Sequence, residues 1–236
     1  MHLPPIAHLL PETRNPAKRL GRHVEHDPRS RAHVHALAPN SALQSQLWTF
    51  YGPPLNQGDV GSCTGNALAG ALNCTPFVAG GKLLEEADAL SLYELATRLD
   101  NIPGTYPPDD TGSSGLAVCK AAEKRGLISG YRHAFSAATA LHWLSSIGPV
   151  IIGIEWFEGF DTPQGPDEEL VISGSVRGGH ELCIHGIDVE KRIIMGTNSW
   201  GAAWGNGGSF TISWDTFGIL LSRDGDATLP YRGALP

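Results

Sequence analysis

The stretch QGDVGSCTGNALAGAL, residues 57–72, contains the cysteine around which the rest of the sequence can be interpreted. Gly58 and Gly61 predict a turn. Cys63 follows this turn and is expected to begin a buried helix, because small and aliphatic residues come next at helical spacing: Ala67, Leu68, Ala71 and Leu72. A helix N-terminus favours the thiolate, the nucleophilic form of cysteine, although a lone cysteine in such a place is more often a small buried apolar residue.

Two later stretches supply partners for this cysteine. They are GGHELCIHG at 178–186 and GTNSWGAAWG at 196–205. A Cys, then a His, then an Asn, with a Gln six residues before the Cys, resembles the papain-like cysteine peptidases, in which Asn-Ser-Trp-Gly is followed by a second Trp. The resemblance covers roughly residues 50–230. The residues that match one by one are Gln57, Cys63, His180, Asn198, Trp200 and Trp204.

The resemblance implies an α+β fold in which a helical lobe packs on an antiparallel β lobe, with the active-site cleft between them. We expect one catalytic domain made of a helical lobe at 48–135 and a β lobe at 136–236. An N-terminal strap or short pro-segment, residues 1–47, precedes them and is rich in Pro, His and Arg. Its extended character would suit a peptide groove, so we expect partial self-inhibition.

The same resemblance assigns chemical roles. Cys63 would be the nucleophile and His180 the base, held together as a thiolate–imidazolium pair. Asn198 would orient the imidazole, and Trp200 would shield that contact from water. The side chain of Gln57 and the backbone N–H of Cys63 would form the oxyanion hole. The implied activity is that of a cysteine endopeptidase that hydrolyses peptide bonds.

Substrate contacts are also implied, at Gly61, Gly112, Ser113, Gly153, Gly179, Glu181, Trp200 and Trp204. Gly112 and Ser113 would supply the backbone edge that pairs with the substrate. Gly153 and Glu181 match positions in the pocket for the second residue before the scissile bond, where a carboxylate would favour Lys or Arg. The alternative is that Glu181 points to solvent, since glutamate is rarely buried without a partner.

Two departures from the family pattern are visible beside the nucleophile. Val60 removes one half of a disulfide that secreted members have, and Thr64 replaces an aromatic residue. The chain therefore looks like a compact bacterial or phage branch. Further on, Ser91 and Glu94 have capping-box spacing, which predicts that a second helix begins near Leu90.

Composition limits the partners that we expect. The formal charge of −7 gives no basic footprint for nucleic acid. No apolar run is long enough for a membrane span, and the N-terminus lacks signal-peptide character, which predicts a cytoplasmic protein or a phage-encoded one acting in its host. The cysteines show no C-x-x-C spacing, and the early histidines have no ligand-spaced partners, so no metal or cofactor is expected. The expected partner is a peptide or protein substrate. The histidines in question are His23, His26, His33 and His35.

Two other functions stay open. One is a different Cys-His acyl-transfer enzyme, such as a cell-wall peptide amidase or a transglutaminase-like enzyme, which shares the order of catalytic groups but lacks Asn-Ser-Trp-Gly. The other is a binding protein that keeps the peptidase fold and is catalytically silent.

Overall fold

The computed structural model describes residues 6–26, 42–78 and 81–234. Part of the predicted N-terminal segment, including His33 and His35, lies outside these residues. The helices are α1 (Cys63–Leu72), α2 (Glu86–Ala96), α3 (Gly115–Lys124), α4 (Ala137–Ser146) and α5 (Trp214–Ser222), with a 3₁₀ turn at Glu158–Asp161. The strands are β1 (Ile6–His8), β2 (Val24–His26), β3 (Gln46–Leu47), β4 (Gly130–Ala134), β5 (Val150–Phe157), β6 (Val176–Asp188), β7 (Ile193–Thr197), β8 (Ser209–Ser213) and β9 (Asp226–Tyr231).

Most of the strands form one antiparallel sheet. Its order is β4-β9-β5-β6-β7-β8, and β3 pairs with β6. Strands β1 and β2 form a separate antiparallel pair. This mixture of helices and antiparallel sheet confirms the predicted fold class.

The sheet separates two hydrophobic cores. Successive side chains of a strand face opposite sides, so neighbours on β5 and β6 enter different cores. Ile151 and Cys183 pack with the buried faces of α1, α2 and α3, whereas Ile152 and Leu182 pack with residues of α4 and α5. The part of β6 near residue 180 therefore places consecutive side chains on opposite faces of the sheet.

Helix α1 begins at Cys63 as predicted, and every residue in it is buried. Helix α2 begins earlier than predicted: its capping box joins Glu85 and Asp88, not Ser91 and Glu94. Both pairs have the same spacing, so only the tertiary position of the helix decides between them. Strand β4 had no clear alternation in the sequence and becomes a strand through its pairing with β9.

No helix in the described ranges is both long and apolar enough to cross a membrane.

Gly65 sets how closely α1 approaches α2. A Cβ at this position would overlap the carbonyl oxygen of Ala89 and lie 3.1 Å from the Cβ of Tyr93. We predict that Gly65→Ala lowers the free energy of unfolding by about 1–3 kcal/mol, because the helix backbones must separate. Gly218→Ala on α5 is the matched control, since a Cβ there meets nothing within 4 Å.

The control should be neutral or gain up to about 1 kcal/mol from the better helix propensity of alanine. Urea denaturation of both variants measures the difference. Equal effects of the two substitutions would contradict the proposed close contact between α1 and α2.

Candidate active site

Cys63 is fully buried at the first position of α1. Helix α1 packs against β6, and the backbone N–H of Glu181 hydrogen-bonds to the thiol sulfur. The sulfur therefore lies beside the strand position next to His180. The local sequence permits this approach because small residues dominate α1, which lets the helix lie close to the sheet.

His180 is held by Asn198, the residue that follows β7. Its Nε2 lies 2.7 Å from Asn198 Oδ1, which also accepts the backbone N–H of Ser199 at 2.7 Å. Because an amide oxygen only accepts, Nε2 must carry the proton and donate it. His180 Nδ1 has no hydrogen-bond partner among the described residues, so in the neutral ring it offers a free lone pair.

Aromatic rings surround this histidine. The ring centres of Trp156 and Trp200 lie 4.8 Å and 5.0 Å from that of His180. Both tryptophans are buried, and their rings contact each other edge to face. The His180–Asn198 hydrogen bond is thus enclosed by apolar surface, which strengthens it by excluding water.

Gln57 lies in the same region and is fixed by Ser199. Its Oε1 accepts the Ser199 hydroxyl at 2.6 Å, and its backbone N–H donates to the Ser199 carbonyl at 2.9 Å. Its Nε2 donates to Val60 O at 2.8 Å and reaches Leu20 O at 3.4 Å. The side-chain amide is therefore aimed at a carbonyl of the N-terminal segment.

The described part of that segment, residues 6–26, runs along the predicted substrate groove, and the name strap refers below to these residues alone. The backbone N–H groups of Gly21 and Arg22 donate to Gly179 O at 3.2 Å and 3.0 Å. On the other side of the groove, His23 N–H donates to Ser113 O, and Ser113 N–H donates to Gly21 O, at 2.7 Å and 2.8 Å. The strap is bonded by its backbone to both walls.

Glycine makes this close approach possible on both surfaces. A Cβ at Gly112 would overlap Gly21 O, a Cβ at Gly179 would overlap Arg22 O, and a Cβ at Gly21 would overlap Gly61 O. Each of these substitutions would push the strap away from the groove. Three of the glycines predicted to touch substrate therefore contact the strap instead: Gly61, Gly112 and Gly179.

The side chain of Arg22 is fully buried in the groove floor, next to the other predicted pocket residues. A Cβ at Gly153 would overlap Arg22 Nε and lie 2.9 Å from Glu181 Oε2. Glu181 is 1% exposed, so the alternative that it points to solvent is wrong. The guanidinium Nη2 lies 2.5 Å from Asp226 Oδ2.

The predicted tryptophans lie at the other end of the groove. Trp200 Nε1 donates to Arg19 O in the strap at 3.0 Å, and Trp204 Nε1 donates to Asp161 O at 3.1 Å. Both line a cavity of about 310 Å³ that Ala17 and Lys18 of the strap also border. The strap thus passes every part of the predicted site.

Burial changes the ionisation of Cys63 and His180, the two residues predicted to react. Burial raises the pKa of the Cys63 thiol well above its usual range. Burial also lowers the pKa of His180 to about 4, although its hydrogen bond to Asn198 acts in the opposite direction. Each shift disfavours the charged form of its group, so burial opposes the thiolate–imidazolium pair expected from the sequence.

Four residues at the site were not singled out by sequence reasoning: Ser199, Asp110, Arg22 and Asp226. Asp110 accepts the Gly61 N–H at 3.0 Å and the Tyr93 hydroxyl at 2.8 Å, and pairs with Arg19 at 2.8 Å. Ser199 could have been found from its place in Asn-Ser-Trp-Gly. Asp110, Arg22 and Asp226 have no local signal, since they reach the site from distant parts of the chain.

The lowered pKa of His180 predicts a pH effect on stability. The unfolded chain binds a proton on this ring below about pH 6.5, whereas the folded chain does so only near pH 4. Between these values the unfolded state holds more protons, so stability falls as the pH falls. We predict that the free energy of unfolding falls by roughly 2 kcal/mol more in wild type than in His180→Gln between about pH 7.5 and about pH 4.5.

Urea denaturation at the two pH values measures this difference. His8→Gln, at a histidine whose side chain is 57% exposed, is the control and should behave as wild type. Equal acid losses in wild type and His180→Gln would rule out a buried, neutral His180.

This chain resembles known proteins in structure. No family model and no curated protein matches the sequence. Xylellain, a cysteine protease from Xylella fastidiosa, is similar in structure with a TM-score of 0.74 and 16% identity, over 94% of this chain and 99% of that one. Procathepsin L 3 from the larval midgut of Tenebrio molitor gives a TM-score of 0.61 and 15% identity, over 83% and 72%.

The Amb a 11 cysteine protease of ragweed pollen, in its proform, gives a TM-score of 0.56 and 16% identity, over 83% of this chain and 67% of that one. Identities this low carry information about the fold alone. These likenesses confirm the prediction from the sequence that the chain has the papain-like cysteine protease fold.

Proposed function

We propose that the chain is a cysteine endopeptidase whose nucleophile is Cys63 and whose base is His180. The fold supports cysteine peptidase activity in general. The observation that carries the specific proposal is the His180–Asn198 hydrogen bond of 2.7 Å, which leaves Nδ1 as the free acceptor. The Cys63 thiol, at the start of α1, contacts the backbone N–H of Glu181, the residue that follows His180 on β6.

In the first half of the reaction, His180 Nδ1 takes the thiol proton and the sulfur attacks the peptide carbonyl carbon. The carbonyl π electrons move onto oxygen, and the resulting oxyanion accepts hydrogen bonds from Gln57 Nε2 and from the backbone N–H of Cys63. The C–N bond then breaks. His180 returns its proton to the departing amine, and a thioester to Cys63 remains.

In the second half, water replaces the amine. His180 takes a proton from the water as it attacks the thioester, and the same oxyanion donors act again. Collapse of this second tetrahedral intermediate breaks the C–S bond and releases the carboxylic acid. His180 returns its proton to the sulfur, which restores the thiol. Asn198 keeps the imidazole oriented throughout, because its Oδ1 is itself fixed by the Ser199 N–H.

We also propose that the strap inhibits this site. Leu20 O lies at 3.4 Å from Gln57 Nε2, in the direction of a substrate oxyanion. In the family pattern, the substrate residue whose side chain enters the pocket comes before the residue with the scissile carbonyl. In the strap this order is reversed, because Arg22, whose side chain fills the pocket, follows Leu20, whose carbonyl lies near Gln57. The strap therefore runs opposite to a substrate, which would explain how it covers the site without being cut.

The two alternatives predict different behaviour once the strap is loosened. A silent binding protein would stay inactive, and a cell-wall amidase or transglutaminase-like enzyme would prefer other acyl donors. The buried, oriented imidazole with a free Nδ1 favours the peptidase over the silent protein. The four free cysteines are buried, which supports a reducing compartment such as the cytoplasm.

Gly21→Ala tests inhibition by the strap. Gly21 has φ +144°, and a Cβ there would overlap the backbone of Gly61, so alanine should displace the strap from the groove. We predict that the rate of Cys63 alkylation and the kcat/KM on a fluorogenic peptide each rise by at least about tenfold. Gly165→Ala is the control, since Gly165 also has positive φ but open space around it.

The control should change neither rate. If Gly21→Ala is folded, as judged by its thermal unfolding, and is no more reactive than wild type, the strap does not inhibit the site.

Cys63→Ala in the Gly21→Ala background tests the nucleophile. We predict a loss of turnover of at least about 10³-fold with little change in stability, because the residual rate no longer includes covalent catalysis. Cys119→Ala, at a buried cysteine on α3, should retain activity. Mass spectrometry after treatment with a peptidyl epoxide should find the label on Cys63 alone, and a label on another cysteine would identify a different nucleophile.

A further inference from the structure

A row of three residues crosses adjacent strands beneath the strap. Gly153 on β5 pairs directly with Glu181 on β6 and with Asp226 on β9. Residues opposite each other on neighbouring strands share one face of the sheet. Because the central residue has no side chain, a gap lies between the two carboxyl groups, and the Arg22 guanidinium fills it.

The geometry at Asp226 suits a guanidinium specifically. Arg22 Nη2 donates to Asp226 Oδ2 at 2.5 Å and to the backbone carbonyl of Asp224 at 2.7 Å. Both hydrogens of this nitrogen are thereby used. The ammonium nitrogen of a lysine would reach only the position of the guanidinium carbon, one bond short of Nη2, so lysine would not reproduce these two contacts.

The second carboxyl group has a different role. Burial raises the pKa of Glu181, and the nearby Asp226 carboxylate raises it further. Neither Glu181 oxygen has a hydrogen-bond partner among the described residues, and the side chain is 1% exposed. Glu181 is therefore a polar wall beside the gap, and Asp226 makes the ion pair with the guanidinium.

Without Arg22, the Asp226 carboxylate would be left without its counter-ion in a buried site. Such a charge is costly unless a cation replaces the lost one. Two of the Arg22 nitrogens, Nε and Nη1, have no hydrogen-bond partner within the described part of the chain, so the present occupant does not satisfy every polar group in the gap. The site thus fits a guanidinium group, and the guanidinium of Arg22 occupies it in this structure.

We infer that Gly153, Glu181 and Asp226 form a guanidinium-binding subsite, which accepts an arginine side chain of the substrate when the strap leaves the groove. Asp226 is the specificity-determining residue, and arginine is preferred over both lysine and leucine. This inference rests on the proposed peptidase function for the identity of the ligand, but the subsite itself is a binding site that can be tested without turnover.

The binding test uses the full chain carrying Arg22→Ala, with methylguanidinium as the probe. At millimolar concentration the probe should raise the thermal unfolding midpoint of this variant by about 2 °C or more, since it binds the folded state alone. Methylammonium at the same ionic strength is the control and should raise it less. Wild type, whose subsite is filled, and Arg22→Ala/Asp226→Asn should show no specific rise.

The specificity test uses the same variants and fluorogenic peptides that differ at the residue entering the subsite. We expect Arg22→Ala to cleave the arginine peptide at least about tenfold better than the leucine peptide in kcat/KM, with lysine between them. Asp226→Asn should abolish this preference. Should Arg22→Ala fail to fold, Arg22→Gln, which keeps more of the side chain, takes its place in both tests.

The outcomes separate the subsite from the peptidase. A methylguanidinium effect that depends on Asp226, without any turnover, supports the subsite and contradicts the proposed function. Turnover with no arginine preference, or with one that survives Asp226→Asn, overturns the subsite and leaves the peptidase standing. A methylguanidinium effect of equal size in the double variant also overturns it.

Discussion

The alternation of side chains along β6 is the constraint on which the site depends. His180 faces the tryptophans and Asn198, whereas the next residue, Glu181, faces the opposite core beside Gly153. One strand thus supplies the proposed base on one face and the proposed subsite wall on the other. A shift of register by a single residue would exchange these faces and destroy both. The extensive pairing of β6 with β5 and β7 fixes that register.

The segment after β7 connects the remaining parts of the site. Asn198 holds His180, Ser199 holds the amide of Gln57, and Trp200 donates to Arg19 O in the strap. Three consecutive residues therefore orient the imidazole, the proposed oxyanion donor and the segment that covers both. Burial moves the pKa values of the Cys63 thiol and the His180 imidazole in opposite directions, and each shift disfavours the charged form.

The sequence by itself determined the fold class, the start of α1 and the candidate residues Gln57, Cys63, His180 and Asn198. Small apolar residues at helical spacing can pack only as a buried helix, which places Cys63 at its N-terminus. Asn-Ser-Trp-Gly and Gly-His are local motifs, so their order along the chain was enough to predict that the papain-like arrangement would form. The resemblance to the family pattern also indicated that Gly153 and Glu181 belong to one pocket.

Only the tertiary structure decided how the groove is filled and which charges meet in it. Arg22 and Asp226 are separated by most of the chain, and neither lies in a motif, so their ion pair follows from strand order and from the path of the strap. The start of α2 was likewise decided by packing, since two capping boxes of equal spacing competed. Local sequence specifies which elements form, whereas contacts between distant residues depend on how those elements pack.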